Sequence, residues 1–304
     1  MTDPVTVVDA MERMSGLHPG FRRAHALGRC YDAVFTPSGA AAEHTTAAHL
    51  QDAPTAAIVR YSNTAGDPAQ PDAGPGVRGM AVKFLSAPTD LAGTDLVALN
   101  VPVFMASTPA KFLDMTRALT DKPGGSKERA DAVVAFITAN PESVHAFQEA
   151  AAIPVPESYA AIRFWAQHAF VWIGPNGDRR FVRYRWEPDA GTHHLTAEES
   201  ADWGPGHLLD ELAGRLPVSF TLKAQFAGPE DPTADPTQPW PADRPEIDAG
   251  RLEVLKPVAD QEFWDRAVFD PTRLTEGIEL SDDPVLAYRK QAYAEGHRRR
   301  AAGQ

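Results

Sequence analysis

The chain has 304 residues, enough to bury a core that encloses a ligand, and no shift in composition divides it, so residues 1–304 are expected to form one domain. Its formal net charge of −12, from 41 acidic against 29 basic residues, argues against a general affinity for nucleic acid or anionic membrane. Cys30 is the only cysteine, which excludes an internal disulfide and a cysteine-based zinc centre; the N-terminus lacks the basic start and apolar run of a secretory signal, and no stretch approaches the ~20 apolar residues of a membrane span, so a cytoplasmic protein is expected.

In chain order, Thr6 is placed to cap a short amphipathic helix running to about Met14, within an N-terminal extension over residues 1–15. Residues 22–35 read as extended. Three short runs rich in valine and aromatics come next, Thr55 to Ser62, Gly79 to Leu85 and Asp95 to Met105, separated by Gly, Pro and Asp clusters as successive antiparallel strands would be. Helical spacing predicts helices from Ala110 to Leu119 and from Lys127 to Ala151, interrupted by Pro123-Gly124-Gly125. Strands at 169–173 and 180–186 flank an Asn176-Gly177 hairpin signal, and two more are predicted at 218–226 and 252–258. Between these last two, residues 228–247 carry six prolines around Trp240 and read as a stiff loop wrapping over the surface. The order argues for an α+β fold built on an antiparallel β-barrel of about eight strands, with inserted helices and a C-terminal helix.

The C-terminal helix carries a chemical signal. Asp282 or Asp283 can cap it, with Pro284 at its first position, and at roughly 100° per residue Arg289, Tyr293 and Arg300 share a face. Guanidiniums close to a phenol favour its anion, which can bind a hard, oxidised iron; the alternative is a solvated basic helix whose tyrosine only packs. Elsewhere His25 lies between arginines in an extended segment, and Arg60 and Ser62 alternate onto one face of a strand, where an arginine can hold an anion and a serine can orient an imidazole. A solvated edge charge and a simple turn residue are the alternatives there.

In order, the segments RRAHALGRCYDAVF, IVRYSNTAGD, VRGMAVKF, DLVALNVPVFM, FVRYRWEP, DPTQPWPADRP and FDPTRLTEGIELSDDPVLAYRKQAYAEGHRRR resemble the signature blocks of the haem catalases, from about Phe21 to Arg300. The length is similar to that of the small catalase-related peroxidases. The resemblance implies haem b, with Tyr293 as the iron ligand and Arg289 keeping it ionised. It further implies His25 as the distal acid-base group, Ser62 holding its ring, Arg22, Arg60 and Arg300 pairing with the propionates, and Phe104 and Phe112 lining or stacking on the macrocycle. Three departures stand out. Counting back from Pro102 puts Leu99 at the position of the catalytic asparagine, although a shift of one residue would bring Asn100 there as a pocket amide; Ala24 replaces the valine that narrows the channel above the haem; and Gly76 falls where the access-channel aspartate would be. The resemblance, with these departures, leads to the expectation of a haem peroxidase acting on hydrogen peroxide or organic hydroperoxides with a small organic reductant and weak catalase activity, as a monomer or homodimer. The other readings are a biosynthetic haem enzyme that rearranges or oxygenates a small molecule in the same pocket, and a haem carrier or sensor, against which the presence of both His25 and Arg289 speaks.

Overall fold

Alternation along the strands sets the architecture, since side chains of period two give each strand one face inside and one outside. In the computed structural model, which describes residues 2–87, 91–120 and 126–304, eight strands form a closed antiparallel barrel. They are β1 (Gly28–Pro37), β2 (Thr55–Asn63), β3 (Arg78–Phe84), β4 (Thr94–Leu99), β5 (Phe164–Ile173), β6 (Arg179–Pro188), β7 (Val218–Phe226) and β8 (Glu246–Pro257). Each pairs with the next in sequence, and β8 returns to pair with β1. A short β9 (Ile278–Leu280) adds to β5. Tyr31, Phe35, Val59, Tyr61, Met80, Val82, Phe164, Trp172, Trp186 and Phe220 fill the interior.

The outside of the wall differs around the barrel. On β6 to β8 it carries Arg185, Glu187, Lys223, Glu246 and Asp248, paired with one another near solvent. On β1 to β4 it is covered instead, with Cys30, Ile58, Ala81 and Val97 packed against Trp264, Ala267 and Phe269. That double burial is why Ala57, Ile58 and Val59 of β2 are apolar without alternation.

Among the described residues seven α-helices flank the barrel: α1 (Pro4–Ser15), α2 (Pro109–Thr120), α3 (Ser126–Ala139), α4 (Val144–Ala151), α5 (His207–Arg215), α6 (Gln261–Arg266) and α7 (Pro284–Ala301). No helix among the described residues is long and apolar enough to cross a membrane. Several expected boundaries move for identifiable reasons. Asp3, not Thr6, caps α1, its carboxylate accepting from the Val5 and Thr6 amides with Pro4 at the first position. The expected helix from 127 to 151 breaks at Asn140-Pro141, because proline has no amide proton and disfavours helical geometry in the residue before it. The expected interruption at 123–125 lies outside the described residues. The strand expected to reach Met105 stops at Leu99, beyond which the carbonyls of Val101 and Val103 accept from the Gln167 amide and the Phe104 amide donates to Pro236. In the proline-rich stretch the carbonyls of Pro232, Asp235 and Gln238 accept from Arg183 on β6, whose guanidinium lies 4.6 Å from the centre of the Trp240 ring.

Candidate active site

Strand register aligns three rows on the covered outer face: Ser62, Gly79 and Leu99; Arg60, Ala81 and Val97; Ile58, Lys83 and Asp95. The His25 ring lies over the first row. Its Nδ1 is 2.9 Å from Ser62 Oγ, and a Cβ on Gly79 would come within 2.8 Å of its Cε1, so the glycine is what leaves room for the ring. Residues 22–27 precede β1, and the extended backbone expected there is broken at His25. His25 has φ 57°, the left-handed region that L-residues avoid, and it is the one non-glycine among the described residues with a positive φ. Its amide donates to Thr64 and its carbonyl accepts from Arg60 Nη2 at 3.1 Å, so local bonds on both sides hold the strained turn. Burial, followed by the positive charges of Arg60, Arg289 and Arg22, pushes the imidazole pKa down to about 3, leaving a neutral ring.

Arg60 fits because residue 28 is glycine: a Cβ there would sit 2.5 Å from the guanidinium carbon. Arg60 Nε lies 3.2 Å and Arg22 Nη1 2.5 Å from Asp265 Oδ1, and Arg22 also donates to the carbonyls of Asp265 and Ala267. Arg300 on α7 donates to the Arg266 carbonyl at 2.8 Å. The three arginines therefore converge on the end of α6. Burial, then the charge of Arg60, pushes Arg22 down to about 9, and burial also lowers Arg300.

On α7, Arg289 Nη2 donates to the Tyr293 hydroxyl, the i,i+4 contact that the helical spacing implied. Arg289 Nη1 lies 3.0 Å from His168 Nε2, and His168 Nδ1 lies 2.6 Å from Asp283 Oδ2. The chain Asp283, His168, Arg289, Tyr293 runs from a buried carboxylate to a phenol. Sequence reading missed its first two members as site residues. Asp283 does cap α7 through Oδ1, the role expected of it, while its second oxygen serves His168. His168 sits where the register of β5 shifts between Ala166 and Phe170, an irregularity that re-aims a side chain and leaves no mark in the sequence. Phe104 and Phe112 lie with ring centres 5.7 Å apart, and Phe104 is 5.6 Å from His168, so both belong to the Tyr293 side.

Asn100, expected as a pocket amide, lies one residue past the row of Ser62, Gly79 and Leu99: it follows the last β4 residue, its Oδ1 accepts from the Arg78 amide at 2.8 Å and its Nδ2 donates to Gly76 O at 3.2 Å, so each end of the amide has a partner in the turn before β3. Leu99 holds the position in the row beneath His25. At Gly76 the Arg78 guanidinium fills the space, Nη1 lying 2.7 Å from where a Cβ would be.

Comparison with known proteins agrees with this fold. The family model described as catalase matches residues 5–304. The catalase-related peroxidase of Mycolicibacterium paratuberculosis is 38% identical over 298 residues, covering 96% of this chain and 92% of that protein, and the catalase-related peroxidase of Synechococcus elongatus is 29% identical over 99% of this chain and 89% of its own. Catalase A from Saccharomyces cerevisiae superposes with a TM-score of 0.78 at 23% identity, this chain spanning 64% of that one. Since the catalase model matches nearly the whole chain and a catalase-related peroxidase is 38% identical along almost its full length, the chain belongs to the catalase family.

Proposed function

We propose that the protein is a haem b peroxidase that reduces hydrogen peroxide or an organic hydroperoxide with a small organic donor and evolves little oxygen. The observation that carries it is the pairing of a neutral, serine-held His25 with a phenol, Tyr293, whose oxygen accepts from Arg289. Those residues fit haem. A phenol oxygen that accepts from a guanidinium suits an iron ligand, and Arg22, Arg60 and Arg300 against the carboxylate of Asp265 leave a formal excess of two positive charges for two propionates. When bound, haem supplies the electrons that cleave the O–O bond.

The protein's part is proton handling and positioning. With Nδ1 of His25 held at Ser62 Oγ, the tautomer that carries its proton on Nδ1 leaves Nε2 as the nitrogen that takes the hydroperoxide proton and returns it to the departing oxygen. Releasing oxygen requires a second peroxide to be held in a defined orientation as it gives up two hydrogens, and Leu99 offers it no hydrogen bond. The names of the two relatives with matching length support the peroxidase reading. Purified protein should carry high-spin ferric haem, oxidise small aromatic donors readily and release oxygen slowly. Leu99→Asn should raise oxygen release relative to donor oxidation. Tyr293→Phe should lower haem retention sharply; a normal haem load and spectrum in that variant would overturn the assignment.

A further inference from the structure

Arg22, Arg60 and Arg300 stand together, and gathering like charges out of water is costly unless a counter-charge is built in. That counter-charge is Asp265, the last residue but one of α6. Its Oδ1 lies 2.5 Å from Arg22 Nη1 and 3.2 Å from Arg60 Nε, and its charge also acts on Arg300. Arg60 in turn donates to the carbonyls of His25 and Ala26, so the carboxylate is one guanidinium away from the strained backbone of the acid-base residue. Although burial pushes the Asp265 carboxyl up, Arg22 and Arg60 outweigh it and hold it below the usual carboxylate range, so it is ionised at neutral pH.

We propose that Asp265 is an internal stand-in for a cofactor carboxylate: it neutralises part of the arginine cluster before the cofactor arrives, and its charge limits how tightly the cofactor's two carboxylates are held. The proposal rests on the haem reading above. Removing the charge while keeping size and an acceptor oxygen, as Asp265→Asn does, acts with opposite sign on two measurable quantities. The cofactor-free protein loses a favourable interaction with Arg22 and Arg60. The cofactor-bound protein loses the same interaction and also a repulsion between Asp265 and the bound carboxylates. Stability without cofactor therefore falls while affinity for a dicarboxylate porphyrin rises. A residue whose role is only to hold the arginines in place would lower both.

The experiment measures thermal unfolding of cofactor-free protein, and titration with hemin and with hemin dimethyl ester, for the unchanged chain, D265N and D265E. Expected are a lower Tm for D265N, hemin bound about three- to tenfold more tightly, the scale of one like charge removed at partial screening, and no change for the uncharged ester. D265E, which keeps the charge, should restore both values. Hemin affinity in D265N that is unchanged or weaker, with the unchanged chain binding hemin normally, overturns this proposal alone. Failure of the unchanged chain to bind hemin at all overturns the haem reading and this proposal with it.

Discussion

At His25 three constraints act on one residue: burial and nearby guanidiniums press the imidazole pKa down to about 3, Nδ1 is tied to Ser62, and the backbone sits at φ 57°. If the neutral ring acts as the proposed proton acceptor, activity should not follow the ordinary histidine titration, since protonation sets in only near pH 3. Peroxide consumption measured by stopped flow should be level from about pH 5 to about pH 9, with no inflection near 6.5. A bell with its acid limb near 6.5 would show a solvated ring. On the proposed haem reading, His25→Ala should load the cofactor as the unchanged chain does and react with peroxide about 10²- to 10⁴-fold more slowly. On the other side, His168 is the hinge of the relay to Tyr293: burial, outweighing Asp283, keeps it below its usual pKa, so its Nε2 can accept from Arg289. His168→Ala leaves Arg289 without that anchor, and the visible spectrum of the loaded protein should shift while the barrel melts at a similar temperature.

At the level of the elements, β3 serves the site by what it lacks. Gly79 places no Cβ under the His25 ring, so Gly79→Ala should displace the imidazole and slow peroxide reaction at least tenfold with haem content maintained; an unchanged rate would mean that the ring has room to spare. Further along the same strand, Lys83 is fully buried on Asp95 at 2.6 Å, and Asp95 also takes Arg273 at 3.1 Å and the Asp270 amide. This pair fastens the 268–273 segment to the barrel beside α6. Asp95→Ala strands a buried ammonium and should cost about 3–5 kcal/mol in urea unfolding, whereas replacing Lys83 and Asp95 together by Met and Leu should recover much of the loss.

Across the whole molecule, buried neutral histidines tie stability to acid. His49 is stacked on Phe84 with ring centres 4.2 Å apart inside the barrel, and burial pushes its pKa down to about 4. The unfolded chain takes up a proton near pH 6.5 that the folded chain refuses until about pH 4, so the stabilisation is full above 6.5 and is lost as pH falls toward 4, on the order of 3 kcal/mol for this one group. His25 and His168 shift in the same direction. Unfolding free energy should therefore decline steadily below pH 6.5, and His49→Leu should make the decline measurably shallower. An equal slope in the variant would place the acid sensitivity elsewhere.

By itself the sequence determined the class of fold, because the valine-rich runs, the Asn-Gly hairpin and the proline-rich stretch are local signals that barrel closure did not overturn. It also determined the face of α7, because Arg289 and Tyr293 are neighbours by helical spacing alone. Only the tertiary structure decided which of two adjacent residues shares the outer-face row of Ser62 and Gly79. That depends on strand register, which puts Leu99 in a row with Gly79 and Ser62 and leaves Asn100 to satisfy the backbone of a turn. The same holds for His168, aimed by an irregularity in β5, and for α6, six residues too short to show a helical period, whose Asp265 meets Arg22 from 243 positions away. Local signals travel with the chain, whereas contacts between distant segments exist only once the barrel has closed and brought them to one face.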